Sequence, residues 1–519
     1  MKIDHLKGMP SYFIGIDSGT QSAKAILVKA GSGQVAAAAS QSYDLIRGLP
    51  PGHMEQHPQV WINAVRATIR AILKQSRANP SQVLGIGVSG QQHGFVPLDR
   101  AGKVIRPAKL WCDTSTAPQC ETLLKKIGGL KQSLKLTGNG IPSGFTASKI
   151  LWLKQKEPKN YARLTTVLLP HDYINFWLTG NKTMEYGDAS GTALFDVRKR
   201  VWSRELLRAI GPELAGKLPT PQPSHLPAGH LCAAAAKELG LTTRTIVSSG
   251  GGDNMMGAIG TGNTKPGVVT ASFGTSGAIY ACSNRPVVDP QGEIAAFCDS
   301  AGAWLPLLCT MNVTVATEMI RQAYGWTHEE FTRRAGKIPA GSCGLLLVPY
   351  LNGERTPNVP NGTGVFVGVN GQTFNPSTFA RAAMEGVTMG MNYGLNRLRQ
   401  LGIAPRQIRV IGGGAKNPVW RQIMADVFNC EVIGMRTAEG AAYGAALQAW
   451  WCCENQNNRR VNIDDIASQC VKTDPKTAAH PRTEKARLYR QLQQLQDRAA
   501  HDMSEIFDLH RATLSGLAR

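Results

Sequence analysis

Short apolar segments alternate with polar, glycine-containing turns along most of the chain. Residues 12–16 are apolar, the polar turn Asp17-Ser18-Gly19-Thr20 follows, and residues 25–28 are apolar again. Two strands joined by a turn fit this pattern. Residues 57–74 instead place apolar side chains every three or four positions, which predicts a helix, and residues 83–88 are typical of a further strand. Because strands and helices alternate in this way, we predict an α/β fold.

The pattern occurs twice in the same order. Asp17-Ser18-Gly19-Thr20-Gln21-Ser22 is similar to Ser272-Phe273-Gly274-Thr275-Ser276-Gly277, about half a chain later. In a second pair, apolar strands run into Gly250-Gly251-Gly252-Asp253 and into Gly412-Gly413-Gly414-Ala415. A single Gly-Thr repeat would be chance, but paired repeats in one order predict two related α/β domains.

The domain boundaries follow from these repeats. We place the first domain at residues 11–262 and the second at residues 263–453. Residues 454–519 begin with a polar stretch, which predicts a linker, and end in a C-terminal helix. The apolar residues from Leu488 to Ile506 recur at helical spacing, which indicates an amphipathic helix packed on the body or on a partner chain.

Composition narrows the class of protein. The 519 residues are 42% hydrophobic, which excludes sustained disorder, and no apolar stretch approaches the length that crosses a membrane. The net charge of +21 invites a nucleic-acid hypothesis, but the basic residues are scattered, so nucleic-acid binding is disfavoured. The eleven cysteines form no C-x-x-C pair, and residues 1–10 show no apolar signal core. We therefore expect a reduced, cytoplasmic protein.

The two Gly-Thr turns are candidate phosphate-binding loops. Glycine lets the backbone approach an anion, successive N–H groups point at it, and the threonine hydroxyl adds a donor. Asp17 could hold Mg²⁺ through water, since Mg²⁺ favours one or two carboxylates together with phosphate oxygens. The alternative is a pair of ordinary hairpin turns. Two other nucleotide motifs are excluded: the glycines of residues 85–90 fall inside a strand with no helix after it, and there is no P-loop.

A second group of polar residues suits a hydroxyl-bearing substrate. Asp253 follows a buried strand and three glycines, where a carboxylate can orient a hydroxyl and accept its proton. It could instead cap the helix that follows. Residues 89–94, Ser-Gly-Gln-Gln-His-Gly, could hydrogen-bond several hydroxyls. A lone histidine such as His93 is more often structural.

These motifs together resemble the FGGY family of carbohydrate kinases, over about residues 12–451. Residues 15–20 look like the first phosphate loop of that family, residues 272–277 like the second, and residues 412–417 like its adenosine loop. Residues 144–153 and 364–385 resemble its two signatures, with Lys156 and Thr378 as departures. The resemblance implies two ribonuclease-H-like domains of the actin/hexokinase-like ATPase type around a central cleft.

The resemblance also implies roles for individual residues. Asp253 becomes the catalytic base. Residues 89–94 resemble the sugar loop of members that act on xylulose, where a glycerol kinase would have an Arg-Glu pair. The sugar contacts implied are Gln92, His93, Asp113 and Asn254. The ATP contacts implied are Gly19, Thr20, Gln21, Gly274, Thr275, Ser276, Gly413, Gly414 and Asn417.

We therefore expect an ATP- and Mg²⁺-dependent kinase for a ketopentose, with D-xylulose phosphorylated at O5 as the favoured reaction. Ser115 stands where some members have arginine, and Gln92 where many have methionine, so another pentulose or a polyol is the first alternative. A non-catalytic, actin-like ATP-binding module is an alternative of a different class. The partners expected are the sugar and ATP, with no membrane; a homodimer is compatible with the sequence.

Overall fold

The structure of the protein is a computed structural model that describes residues 10–437, 439–457 and 459–517. The chain forms two units, and each is assembled from separate segments. The first contains the chain up to Lys265, Cys282–Pro306 and Glu439–Val471. The second contains Pro266–Ala281, residues 307–437 and the chain from Lys472 onward.

The first unit is built on a seven-stranded mixed sheet. Tyr12–Ser18 pairs antiparallel with Ser22–Lys29 and parallel with Val83–Gly90. The strand order across the sheet is Pro227–His230, Ile246–Ser248, Val83–Gly90, Tyr12–Ser18, Ser22–Lys29 and Val35–Ser42, and Gly251–Gly252 also pairs with Val83–Gly90. Its short accessory strand pairs are Glu55–Gln56 with Ala108–Lys109, Val96–Leu98 with Thr166–Leu168, Met184–Glu185 with Pro221–Gln222, and Phe195–Asp196 with Val201–Trp202.

Both faces of this sheet are covered, which explains why its strands are apolar at successive positions. Ile14 packs with Trp61 of helix Pro58–Ser76 on one face. Phe13, its neighbour in the chain, stacks on Trp450 of helix Gly440–Gln456 on the other, with ring centroids 5.6 Å apart. The other helices of this unit are Ala117–Ile127, Leu130–Thr137, Thr146–Lys156, Pro158–Arg163, Pro170–Thr179, Tyr186–Ala189, Arg204–Ile210, Ala233–Leu239, Asp253–Gly260 and Ile463–Cys470.

The second unit repeats the arrangement on a smaller scale. Val268–Phe273 pairs antiparallel with Gly277–Ala281 and parallel with Gln407–Ile411. The order of its six-stranded sheet is Leu307–Thr310, Gly277–Ala281, Val268–Phe273, Gln407–Ile411, Glu431–Met435 and Thr473–Ala479, and Leu346–Pro349 pairs separately with Gly364–Val367. Its helices are Thr314–Ala323, His328–Lys337, Pro376–Gln400, Pro418–Phe428, Thr483–Asp502 and Ser504–Leu517. The α/β prediction is confirmed, and the repeated motif occupies the same hairpin in each sheet.

The C-terminal segment differs from its prediction in two ways. Residues expected as a polar linker contain the helix Ile463–Cys470 and the strand Thr473–Ala479. The final helix, Thr483–Asp502, buries Tyr489, Gln493 and Gln496, while Leu495 is 50% exposed. The buried face coincides only in part with the predicted apolar row, of which Leu488, Leu492, Ala499 and Met503 are half-buried. The reason is that Gln496 donates hydrogen bonds to the Leu347 and Gly386 carbonyls, and the Tyr489 hydroxyl donates to Glu385.

Among the residues that the structure describes, no helix combines the length and the apolar character needed to cross a membrane.

Candidate active site

The first Gly-Thr turn joins the two central strands of the first unit. The Gly19 N–H donates to the Ser22 carbonyl at 3.0 Å, which closes the turn. The hydroxyl of Thr20 donates to Gln91 Oε1 at 3.1 Å and accepts from Trp111 Nε1 at 2.9 Å. Gln56 Nε2 donates to the Thr20 carbonyl at 2.7 Å. The turn is thus held from several sides, while Gln21 at its tip is exposed.

A pocket of about 360 Å³ opens at this turn, lined by Asp17, Gly19, Thr20, Gln21, Ser22, Lys24 and Trp111. Lys24 was not predicted as a site residue. It lies directly opposite Asp17 in the antiparallel register, and its ammonium group pairs with Glu439 at 2.6 Å. Counting residues symmetrically away from the turn would have found it, since facing residues of a hairpin share one face of the sheet.

Asp17 lines this pocket, and a neighbouring hydroxyl holds its carboxylate in place. Its Oδ1 accepts a hydrogen bond from the Ser89 hydroxyl at 2.9 Å, and burial raises the pKa of its carboxyl above the ordinary value. The set of oxygen atoms at this end of the pocket, a carboxylate and the Thr20 hydroxyl, is the chemistry that Mg²⁺ prefers. The residues present therefore fit a magnesium ion.

Asp253 is the first residue of helix Asp253–Gly260, and the capping position is occupied by Gly252. Asp253 therefore stands one residue after the capping position, in the first turn of the helix. Its Oδ1 accepts the backbone N–H of Asn254 at 2.8 Å. Loss of surrounding water, followed by the negative charges of Asp17 and Asp188, raises the pKa of this half-buried carboxyl to about 7. A carboxyl with such a pKa can accept a proton near neutral pH.

Gln92 and Asn254 form one hydrogen-bonded group with Asp253. Asn254 Nδ2 donates to Gln92 Oε1 at 2.9 Å and to Asp253 Oδ1 at 3.2 Å. Gln92 is 5% exposed, and its Nε2 has no partner of hydrogen-bond geometry among the described residues, although Asp188 lies nearby. A buried donor left in this way is costly unless a ligand or water satisfies it. An oxygen atom of a ligand could accept this hydrogen bond.

His93 follows Gln92 and has a left-handed backbone with φ of 65°. Its imidazole packs on Phe145, with ring centroids 4.3 Å apart, and lies against the Cα of Gly191. A Cβ on Gly191 would be 2.3 Å from the imidazole, so only glycine fits there. The structure thus brings Gln92, His93, Asp253 and Asn254 into the first unit, on segments that end at one edge of its sheet.

Asp113 is fully buried, and other protein groups already bind its carboxylate. Lys109 Nζ and the Met54 N–H donate to Oδ2 at 3.0 and 2.9 Å, and Ser115 donates to Oδ1 from its hydroxyl at 2.6 Å. The Lys109 ammonium also pairs with Glu55 at 3.1 Å. Asp113 therefore has a structural role in a buried ion network, and direct contact with a sugar stays a prediction.

A second buried network lies beside the sugar loop and was not predicted. His171 is fully buried between Asp188, 2.9 Å from its Nδ1, and Asp172, 3.0 Å from its Nε2. Burial works against the charged imidazolium, but the two carboxylates outweigh it and hold the pKa of His171 well above its ordinary value. Asp172 is the next residue in the chain, but a separation of 17 residues gives no sign that Asp188 meets His171.

The second unit brings its two glycine-containing loops together. The turn Gly274-Thr275-Ser276 joins strands Val268–Phe273 and Gly277–Ala281, and its Gly274 and Thr275 carbonyls accept the N–H groups of Thr314 and Val313 at 3.0 Å. Gly412 has φ of 90°, and a Cβ there would lie 2.6 Å from the Phe273 carbonyl. This close approach sets the second phosphate turn beside the loop that contains Gly413 and Gly414.

The predicted adenosine residues differ in accessibility. Gly413 is exposed with open space above its Cα, whereas Gly414 is buried under Trp420. Asn417 caps helix Pro418–Phe428: its Oδ1 accepts the Trp420 N–H at 3.1 Å, and its Nδ2 donates to Thr332 at 2.8 Å. Asn-Pro at a helix start is the sequence signature of that cap. Nucleotide contact by these residues stays a prediction.

Comparison with family models matches almost the whole of the described chain. Residues 12–260 match the model of the "FGGY family of carbohydrate kinases, N-terminal domain", and residues 269–453 match the C-terminal domain of the same family. The fold of the chain is that of these two-domain kinases, which have the actin/hexokinase-like ATPase architecture.

Relatives and solved structures agree with the family. The chain is 39% identical over 483 residues to a xylulose kinase of Haemophilus influenzae, which covers 92% of this chain and 97% of that protein. It is 36% identical to a xylulose kinase of Bacillus subtilis, over 84% of this chain and 87% of the relative. The crystal structure of a "xyloylose kinase" from Brucella ovis superposes with a TM-score of 0.88 at 30% identity, covering 95% of this chain and 100% of that one.

Proposed function

We propose that this chain, which belongs to the FGGY family of carbohydrate kinases and is a sugar kinase, transfers the γ-phosphoryl group of ATP to O5 of D-xylulose. The observation that carries the proposal is the hydrogen-bonded group of Asp253, Asn254 and Gln92. At one end is a carboxyl of pKa about 7, and at the other is the buried Gln92 amide, whose Oε1 accepts from Asn254. The names of the similar proteins support xylulose as the sugar.

In the proposed reaction Asp253 acts as general base. The terminal sugar hydroxyl attacks the γ-phosphorus, a new P–O bond forms, and the bond to the bridging oxygen of ADP breaks. The hydroxyl proton passes to the Asp253 carboxylate as bonding develops. Asn254 holds that carboxylate through two hydrogen bonds, from its backbone N–H and from its Nδ2. Most of the remaining catalysis is positioning and stabilisation of charge on the transferred group.

The sugar would be oriented by the residues around this base. Gln92 Nε2 would donate to a sugar oxygen, and His93, the next residue of the same loop, would contact the sugar as the family resemblance implies. Because such a site hydrogen-bonds several hydroxyls, substrates that lack them leave its own groups unpaired and are rejected. Asp113 would contribute to sugar binding through the loop that it stabilises. Direct contact between Asp113 and the sugar stays a prediction.

Each unit contributes one glycine-containing turn as a candidate for binding phosphate oxygens of ATP. Gly19, Thr20 and Gln21 of the first unit, and Gly274, Thr275 and Ser276 of the second, offer backbone N–H groups and hydroxyls to phosphate oxygens. The adenosine would use the open surface at Gly413, with Gly414 and Asn417 beneath it. Asp17 would hold Mg²⁺, which, when bound, neutralises phosphate charge during transfer.

We also propose that the protein is located in the cytoplasm, where ATP is available. A homodimer stays a prediction.

The test is a coupled assay of ADP release with a panel of possible acceptors. D-xylulose is expected to give the highest kcat/KM among D-xylulose, L-xylulose, D-ribulose, L-ribulose, xylitol and glycerol, with glycerol giving little or none. Preference for glycerol or L-ribulose would overturn the choice of sugar. ATP hydrolysis that no acceptor stimulates would instead favour the actin-like ATP-binding module.

A further inference from the structure

His93 has a left-handed backbone conformation, which is unusual for a residue other than glycine. A left-handed backbone costs a residue with a Cβ roughly 1–2 kcal/mol and persists only where the surroundings impose it. His93 has φ of 65°, and the next residue is a glycine that could have taken the conformation instead. Some neighbouring group must therefore hold His93 in place.

Two side chains of one helix hold the His93 carbonyl. Thr146 is the first residue of helix Thr146–Lys156, and its hydroxyl donates to that carbonyl at 3.1 Å. Lys149, one turn later, donates from Nζ to the same oxygen at 2.9 Å. The three-residue spacing places both donors on the same side of the helix. The imidazole is meanwhile confined between Phe145 and Gly191.

Lys149 is an unusual residue for this task, because it is fully buried. Lysine is almost never fully buried unless its charge is paired or its donors are used. Its second hydrogen bond goes to the Gly144 carbonyl at 2.5 Å, so Nζ ties the sugar loop to the turn that begins the helix. Burial lowers the pKa of Lys149 to about 7, while the charge of Asp113 opposes that shift. A neutral amine still has two hydrogens, enough for both carbonyls.

We propose that Lys149 and Thr146 are positioning residues that fix His93 of the sugar loop, and that the orientation of His93 sets the affinity for the sugar. The inference rests on the proposed function, in which His93 contacts the sugar. Neither Lys149 nor Thr146 needs to touch the sugar for this role. Both act through the backbone of the residue that does.

The test compares Lys149→Met, Thr146→Val and Lys156→Met. Methionine keeps the length of lysine and removes its hydrogen-bond donors, and valine keeps the shape of threonine without its hydroxyl. Lys156→Met is the control, because Lys156 is an exposed lysine of the same helix. Lys149→Met is expected to lower kcat/KM for the sugar by about 10–100-fold, mainly through KM, the scale of a misplacement near 1 Å. Thr146→Val is expected to lower it several-fold. KM for ATP is expected to stay within about twofold in all three.

A readout independent of activity covers the case in which D-xylulose is not the substrate. With ¹³C-labelled histidine, the His93 imidazole signal is assigned by its loss in His93→Asn, and it is expected to move in Lys149→Met and in Thr146→Val but not in Lys156→Met. If wild-type protein phosphorylates another sugar of the panel, the proposed sugar is wrong and the same kinetic comparison is made with that sugar.

Thermal unfolding shows whether the variants are folded. If Lys149→Met does not fold, Thr146→Val, which loses a single hydroxyl, provides the test of the inference. A folded Lys149→Met or Thr146→Val protein with an unmoved His93 signal and an unchanged KM for the sugar would overturn the inference. An equal loss for the sugar and for ATP would also overturn it, since general destabilisation would explain that result.

Discussion

At the scale of single residues, the chemistry depends on how the protein surrounds one carboxylate. Asp253 loses water on folding and faces the charges of Asp17 and Asp188, and each effect makes its ionised form less favourable. Asn254 opposes them with a hydrogen bond to the carboxylate. The balance leaves a carboxyl with a pKa of about 7, which suits the general-base role proposed for Asp253 near neutral pH.

Replacing Asp253 with asparagine tests this role. Asn keeps the size of the side chain but removes its charge and its basicity, so kcat is expected to fall by roughly 10²–10⁴-fold. The dissociation constant for ATP is expected to change little. Because an amide does not ionise in its desolvated position, the melting temperature at pH 8 is expected to stay the same or to rise. Near-normal turnover of a folded variant would remove Asp253 from the mechanism.

The raised pKa of Asp253 also sets the pH dependence. The base must be deprotonated to act, so log kcat/KM is expected to decrease with a slope of one as pH falls below about 7. Rates measured at low concentrations of both substrates report the ionisation of the free enzyme. A parallel series of unfolding curves shows that the protein remains folded over the same range. Activity that is level down to pH 5.5 would contradict a base with this pKa.

At the scale of secondary-structure elements, the first Gly-Thr turn depends on a side chain that directly follows the strand Val35–Ser42. The Tyr43 hydroxyl lies 2.6 Å from the Gly19 carbonyl, 3.0 Å from the Ser22 carbonyl and 3.1 Å from the Ser18 hydroxyl. It therefore contacts both ends of the turn whose N–H groups are proposed to bind phosphate. Burial raises the pKa of Tyr43, so it remains a hydrogen-bond donor at any working pH.

Tyr43→Phe removes this support and keeps the ring. The loss of a hydrogen bond worth about 1 kcal/mol is expected to raise KM for ATP by about three- to tenfold, with KM for the sugar within about twofold. Tyr12→Phe, on the same hairpin and half-buried, is the control and is expected to leave both constants unchanged. Steady-state kinetics with each substrate varied in turn checks the prediction. An equal rise in both KM values would mean that Tyr43 supports the whole unit and not the turn.

Close packing of the long helix on the first sheet gives a prediction about stability. A Cβ on Gly87 would lie 1.9 Å from the Ala445 carbonyl oxygen, backbone against backbone. Gly87→Ala is therefore expected to lower the free energy of unfolding by more than about 3 kcal/mol, beyond ordinary overpacking, or to prevent folding. Gly216→Ala, with no atom within 4 Å of the added Cβ, is the control and is expected to be neutral or slightly stabilising. Urea unfolding distinguishes the two.

At the scale of the whole molecule, neither unit is a continuous piece of chain. The helix Gly440–Gln456 lies in sequence between two segments of the second unit, yet it belongs to the first. There it covers one face of the central strands, in a core that contains Phe13, Met256 and Trp450. An N-terminal half without this helix would leave that apolar face in water.

Residues 1–265 expressed alone are therefore expected to lack a cooperative unfolding transition and to bind a hydrophobic dye. Co-expression with residues 266–519 is expected to restore both cooperative unfolding and sugar-dependent ADP release, because the missing helix is supplied in trans. Calorimetry and dye fluorescence of the purified fragment and of the pair check this prediction. A separately expressed first half that unfolds cooperatively would show that the helix is dispensable for the core.

The sequence alone determined those features that depend on local pattern. Strands and helices differ in the period of their apolar residues, so the α/β class and the repeated hairpin could be predicted from short windows. The glycines and threonines of both phosphate turns, and Asp253 after its three glycines, stand out because few residue types suit close backbone approach to a ligand. The family resemblance added roles for Gln92, His93 and Asn254 that pattern alone did not provide.

Tertiary structure decided which distant residues meet, and no local pattern encodes that. The pairing of Lys24 with Glu439, the two carboxylates around His171, and the contact of Lys149 with His93 each join segments that are far apart or on different elements. The same reason explains why the final helix buries Tyr489 and Gln496 while Leu495 stays exposed. Side-chain hydrogen bonds to Glu385 and to two buried carbonyls outweigh the leucine pattern, and those partners exist only in the folded chain.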